Sequence, residues 1–169
     1  WGIAGANMST SLTPEVPQII SDGAGGAIIS WNEWVGIYPA GSHDIYAQRV
    51  SASGITQWGV RGSAVCSDTI SQTASQLTGD GSNGAIIAWQ DFRGGTGSKL
   101  YTQRVSSAGV VQWALNGVAI APVAVNEVEQ RILSDGSGGA YITWRQDNST
   151  IYAQRVDAAG AMQWAAGGV

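Results

Sequence analysis

The stretch Asp135-Gly-Ser-Gly-Gly-Ala-Tyr-Ile-Thr-Trp144 decides the fold, because the chain writes it three times. Asp22-Gly-Ala-Gly-Gly-Ala-Ile-Ile-Ser-Trp31 and Asp80-Gly-Ser-Asn-Gly-Ala-Ile-Ile-Ala-Trp89 are the other copies. Asp, Asn and Gly tolerate the positive φ that a tight hairpin demands. Each copy therefore reads as a turn feeding a short apolar strand that ends in Trp.

Two more motifs travel with it. Ile45-Tyr-Ala-Gln-Arg-Val50, Leu100-Tyr-Thr-Gln-Arg-Val105 and Ile151-Tyr-Ala-Gln-Arg-Val156 form one set. Gly54-Ile-Thr-Gln-Trp58, Gly109-Val-Val-Gln-Trp113 and Gly160-Ala-Met-Gln-Trp164 form the other, and Trp1 stands where an earlier copy of this last motif would end. The spacing from turn Asp to strand Trp is constant at 9 residues, and from motif Tyr to closing Trp at 12. The step from strand Trp to motif Tyr instead shrinks from 15 to 12 to 8 residues. The large length variation thus falls in one loop per repeat.

Each repeat reads as four short strands, A to D, rich in Ile, Val, Tyr and Trp and bounded by Gly. Strand A covers Pro17 to Ser21, Ser75 to Gly79 and Glu129 to Ser134; strand B begins at Ala27 and its equivalents; strand C is the Tyr-x-Gln-Arg-Val run; strand D ends at the closing Trp. Strand B is apolar on both sides, with Ala27, Ile29 and Trp31 facing one way and Ile28 and Ser30 the other, as in a sheet covered on both faces. One window, Val123 to Arg131, has room for a helical turn. A period of 51 to 57 residues built of short strands predicts an all-β fold, a β-propeller of four-stranded blades. The blades run from about 1 to 58, 59 to 113 and 114 to 164, and residues 165–169 open a further repeat.

Composition narrows the function classes. Only 12% of the 169 residues are charged and the net charge is −4, which disfavours nucleic acid, a ligand that demands a basic face. No apolar run approaches the roughly 18 residues a membrane helix needs. Cys66 is alone, so no internal disulfide forms and the residue reads as a small buried apolar group. The chain starts at Trp1 without Met, as a piece of a longer polypeptide or a processed product would. A low-charge composition rich in Gly, Ser, Thr and Trp leans towards a secreted or cell-surface protein. Asn7-Met-Ser9 and Asn148-Ser-Thr150 match the glycosylation sequon.

The repeat resembles those of bacterial surface and secreted proteins whose blades read Asp-Gly-x-Gly-Gly-Ala-x-x-x-Trp, then Ile-Tyr-Ala-Gln-Arg-Val, then Gly-x-x-Gln-Trp. The resemblance implies a β-propeller. A weaker likeness is to the Asp-box of sialidases, from which Ser21-Asp22-Gly23 differs by placing Ser beside Asp. Propellers close with 4–8 blades, and three are written here. Two chains pairing as halves of a six-bladed ring, which a two-fold axis permits, or adjacent blades of a longer chain would complete it.

Any binding chemistry is expected in the variable B–C loops, Asn32 to Asp44, Gln90 to Lys99 and Arg145 to Thr150, since loops on a rigid scaffold carry function. Candidate ligand-binding residues are Trp34, Tyr38, Asp91, Phe92, Arg93, Arg145 and Asp147, a set of aromatic and charged groups able to take a glycan as a lectin would. His43 lacks a second His at metal-ligand spacing. One Asp per turn falls short of the six to eight oxygens of a calcium site, so no metal or other cofactor is expected. Arg49, Arg104 and Arg155 invite a sialidase-like reading, but they are equivalent positions of one repeat, and the acid and nucleophile of a glycosidase must sit at unique ones. The chain reads as a non-catalytic scaffold, with a lectin and a sialidase-like hydrolase fragment as alternatives.

Overall fold

The computed structural model describes residues 5–9, 13–37, 40–95, 97–121, 126–147 and 149–169. It is all-β: among the described residues there is no helix. The first sheet contains β1 (Pro14–Ser21), β2 (Ala27–Val35), β3 (Ser42–Val50) and β4 (Ser63–Cys66) in that order. The second contains β5 (Gln72–Gly79), β6 (Ala85–Asp91), β7 (Lys99–Val105) and β8 (Val118–Ala119). The third has three strands, β9 (Glu127–Ser134), β10 (Ala140–Gln146) and β11 (Thr150–Val156). Every pairing is antiparallel between sequence neighbours, one meander per repeat.

Strands A, B and C lie where the repeat places them; strand D does not. The segment ending at Trp58 contributes a single bridge, Val50 to Thr56, and the fourth strand is Ser63–Cys66, beyond the closing Trp. The same holds at Val105 and Val111, with the fourth strand at Val118–Ala119. The physical reason is Gly62 and Gly117, at φ +77° and +85°, which turn the chain back along β3 and β7 where any Cβ would meet the Trp31 or Trp89 ring. In the third repeat the returning segment has reached only Val169, which exchanges two backbone hydrogen bonds of 2.9 Å with Ala153. Val169 is thereby tied to β11 of the third sheet. Part of the window 123–131 is likewise corrected: Glu127 to Arg131 lie in β9, and residues 122–125 are outside the described set. Each A strand carries a bulge at one repeat position, with Val16, Ala74 and Glu129 at φ 50°, 55° and 56°.

The sheets pack face to face. Ile28, Ile45, Ala47, Val65 and Cys66 of the first meet Leu77, Ala85, Ile87 and Trp89 of the second. Ile86, Ala88, Leu100, Ile120 and Ala121 of the second meet Ala140, Ile142 and Trp144 of the third. The middle strand B is thus buried on both faces, as its unbroken apolar run requires.

Candidate functional site

The repeated polar motifs form a set of latches. In the A–B turn, Asp22 Oδ1 accepts from the N–H groups of Ala24 and Gly26 at 2.8 Å each, while Oδ2 accepts from Arg49 Nε at 2.9 Å. Asp80 with Arg104 and Asp135 with Arg155 repeat the geometry. Burial acts to raise the Asp22 carboxyl, but the turn N–H groups and Arg49 outweigh it and hold it below its ordinary value; Asp135 behaves likewise. A Cβ at Gly26, Gly84 or Gly139 would collide with the carbonyl oxygen of Val50, Val105 or Val156. Asn83 stands at the positive-φ position that Gly25 and Gly138 fill in the other copies, a conformation Asn tolerates.

The Gln of the C strand ties down the closing Trp. Gln48 Oε1 accepts from Trp58 N at 2.8 Å and Arg49 N at 3.0 Å, and Nε2 donates to Gly59 O at 2.7 Å. Gln103 and Gln154 do the same for Trp113 and Trp164. The Trp and Arg then reach the following sheet. Trp58 Nε1 and Arg49 Nη1 donate to Ser107 O at 3.0 and 3.4 Å; Trp113 Nε1 and Arg104 Nη1 donate to Ala158 O at 3.1 and 3.4 Å. Gly109 and Gly160 lie under these rings, where a Cβ would come within 2.7 and 2.8 Å of the indole Cγ. Among the described residues the Trp164 indole N–H has no acceptor, and its ring lies 5.9 Å from Tyr141.

A further latch was not foreseen from the sequence. Trp31 Nε1 donates to Glu33 and Trp89 Nε1 to Asp91, at 3.1 and 2.9 Å. Arg61 pairs with Glu33 and lies over the Tyr46 ring; Arg93 pairs with Asp91 and lies 4.1 Å over Tyr101. The signal was an acid two residues after the strand Trp, on the same side of the strand. Gln146 takes that position in the third repeat, and Trp144 Nε1 is buried without a partner among the described residues.

This last latch takes in Asp91 and Arg93 of the candidate binding set. Asp91 is fully buried in β6, and Arg93 also donates to Cys66 Sγ at 3.2 Å and to Asn116 O at 3.0 Å. Asp91 is thus bonded within the second sheet, and the half-buried Arg93 bridges it to Cys66 of the first. Trp34 and His43 are strand residues, paired across β2 and β3 with rings edge-on at 5.1 Å; the loop read as Asn32 to Asp44 shrinks to residues 36–41. Arg145 lies in β10 and pairs with Glu129 at 2.6 Å, and Asp147 accepts from Asn126 Nδ2 at 3.0 Å. Phe92 is exposed, and Tyr38 lies outside the described residues. The set is divided among three sheets, and Asp91 and Arg93 within it are directly bonded. Arg49, Arg104 and Arg155 are each engaged by the Asp of their own turn.

The wider cavity, about 440 Å³, lies on the opposite side, among the A–B turns, lined by Ser21, Asp22, Gly23, Asn83, Gly84 and Ser134 with two further glycines. Its walls are backbone, hydroxyl and amide, with the Asp22 carboxylate already bonded to its turn. A smaller hollow of about 250 Å³ lies against the first sheet, between residues 7–9 and Pro14, Ile29 and Trp31. Among the described residues no three His, Cys, Asp or Glu side chains are placed to hold a metal ion. Burial pushes the Cys66 thiol up to about 12, which keeps it un-ionised.

Glu127 is the buried acid that no motif announced. Fully buried, it is pushed up to about 7 by desolvation, despite accepting a 2.5 Å hydrogen bond from Leu100 N. Between its ordinary value of 4.5 and about 7, the folded chain holds a proton that the unfolded chain has released. Stability therefore falls as pH rises through that window and levels off above it. Asp44, raised to about 6 by burial, acts in the same direction. Glu127→Gln keeps an acceptor for Leu100 and is expected to flatten most of the decline in thermal midpoint between pH 5 and 7.5 (assay values chosen about the window); unchanged curves would contradict this.

Compared with protein-family models, with curated proteins and with solved structures, the chain matches none.

Proposed function

We propose that the chain is a non-catalytic β-propeller repeat scaffold, each sheet one blade, and that two copies close a six-bladed ring serving recognition outside the cell. The observation that carries this reading is the contrast between equivalent positions. Ile28 and Ile86 are 0% exposed between sheets, and their counterpart Tyr141 is 38% exposed. Ile45 and Leu100 are 0% exposed, and Ile151 is 69%. At the other end Ile19 is 68% exposed where Leu77 is 9%. Both end faces are apolar surfaces of the kind that mark an interaction site, and each repeats the pattern that a neighbouring sheet covers elsewhere.

Trp164 and Arg155 present the donors that Trp58 and Arg49 give to the turn of the next sheet. Joining sheet three of one copy to sheet one of another, twice, makes a closed two-fold ring. Recognition then falls to the B–C side, where the loops differ in length and Phe92 is exposed. The alternative of a glycan-binding surface uses the same side. The reading is tested by the particle's mass in solution, expected at twice that of one chain and contradicted by a folded monomer.

A further inference from the structure

Two half-made contacts in the molecule match each other. In the first and second sheets the fourth strand has two jobs. It pairs with strand C of its own sheet, Ile45 with Cys66 and Tyr101 with Ala119. It also packs on the next sheet, as Val65 and Cys66 do against Ile87 and Trp89, and Ile120 and Ala121 against Ile142 and Trp144.

The third sheet lacks most of this strand. Among the described residues only Val169 bonds the outer edge of β11, and Ile151 is exposed where Ile45 and Leu100 are buried. The other half lies near residue 8. Counted from the closing Trp motif, Met8 stands where Val65 and Ile120 stand, and Ser9 where Cys66 and Ala121 stand. Asn7, Met8 and Ser9 line a hollow with Ile29 and Trp31 of the first sheet, and Ser9 Oγ donates to Glu33 at 3.5 Å. Cys66 holds the matching place beside Arg93, the partner of Asp91. Residues 7–9 thus stand over the first sheet at the place of a fourth strand, and among the described residues no strand pairs with them.

We infer that Asn7–Ser9 of a second copy form the missing fourth strand of the third sheet, adding to the open edge of β11 by backbone hydrogen bonds. Repeat phase sets the register: Asn7 opposite Tyr152, Ser9 opposite Ile151, and Met8 N–H donating to Ile151 O as Ile120 N–H donates to Leu100 O. The inference rests on the ring reading and names the segment that joins its two halves.

The test is a disulfide across that pair. Facing residues on paired strands have the Cα separation a disulfide needs. Ser9→Cys with Ile151→Cys is made in a Cys66→Ala background, since Ala121 already occupies the Cys66 position in the second sheet. The oxidised double variant is expected to run as a covalent dimer that reductant returns to single chains, while neither single variant forms a mixed product. Met8→Pro, which removes the bonded N–H, is expected to weaken self-association by about tenfold or more without altering the unfolding of the separated chain. A dimeric mass with no disulfide and no effect of Met8→Pro overturns the strand and leaves the ring standing. A monomer in every variant overturns both.

Discussion

Trp89→Ala is expected to lower the stability of the folded chain by about 3–5 kcal/mol, the range for truncating a buried aromatic residue. Trp89 is fully buried at the middle of the chain, in the cluster joining the first two sheets. Its ring fills the space that Gly117 leaves bare, and stacks 6.4 Å from Tyr101. Removing it leaves a void and takes from buried Asp91 a donor at 2.9 Å, so Arg93 alone remains to balance the carboxylate. Trp89→Phe keeps part of the volume and loses the N–H, and is expected to cost less. Urea unfolding of the three proteins checks the order; a loss under about 1 kcal/mol for the Ala variant would show that this ring does not join the sheets.

Asp80→Ala is expected to cost about 3 kcal/mol, as removal of one partner from a buried ion pair does. Three bonds end on this carboxylate: the N–H groups of Ser82 and Gly84 at 2.8 Å each, and Arg104 Nε at 3.0 Å. Its loss unties the A–B turn and frees Arg104, which also bonds Ala158 O in the next sheet. Asp80→Asn retains an oxygen for the turn and surrenders the charge, so its cost falls between the wild type and Ala. Thermal unfolding in low and high salt separates the terms: the Asn deficit shrinks with salt if Arg104 dominates it, and equal deficits for Asn and Ala at all salt would contradict a role for the turn bonds.

The repeat made strands A to C readable because three copies vote on each position, and Asp, Gly and Trp at fixed spacing have few structural meanings. Strand D was misplaced for a definite reason. The Gly-x-x-Gln-Trp segment looks like a strand, but Gln48, Gln103 and Gln154 hold it as a side-chain-bonded turn, and Gly62 and Gly117 send the real strand back one step later. The candidate site was less legible. Asp91 and Arg93 have the composition of a binding pair, and only the fold shows them consumed by Trp89 and Tyr101. Glu127 lies in the one repeat where the acid has moved from the B strand to the A strand, opposite Gln146. That exchange is invisible until the register is known.

The ring is tested most directly by sedimentation equilibrium of the whole chain at micromolar concentration. Two copies are predicted, a particle of about 35 kDa from a chain of 17.5 kDa. Trp164→Ala, which removes a side chain already 38% exposed, should shift that particle towards single chains while barely altering their unfolding. A folded, monodisperse particle of one chain's mass across the concentration range would contradict the account.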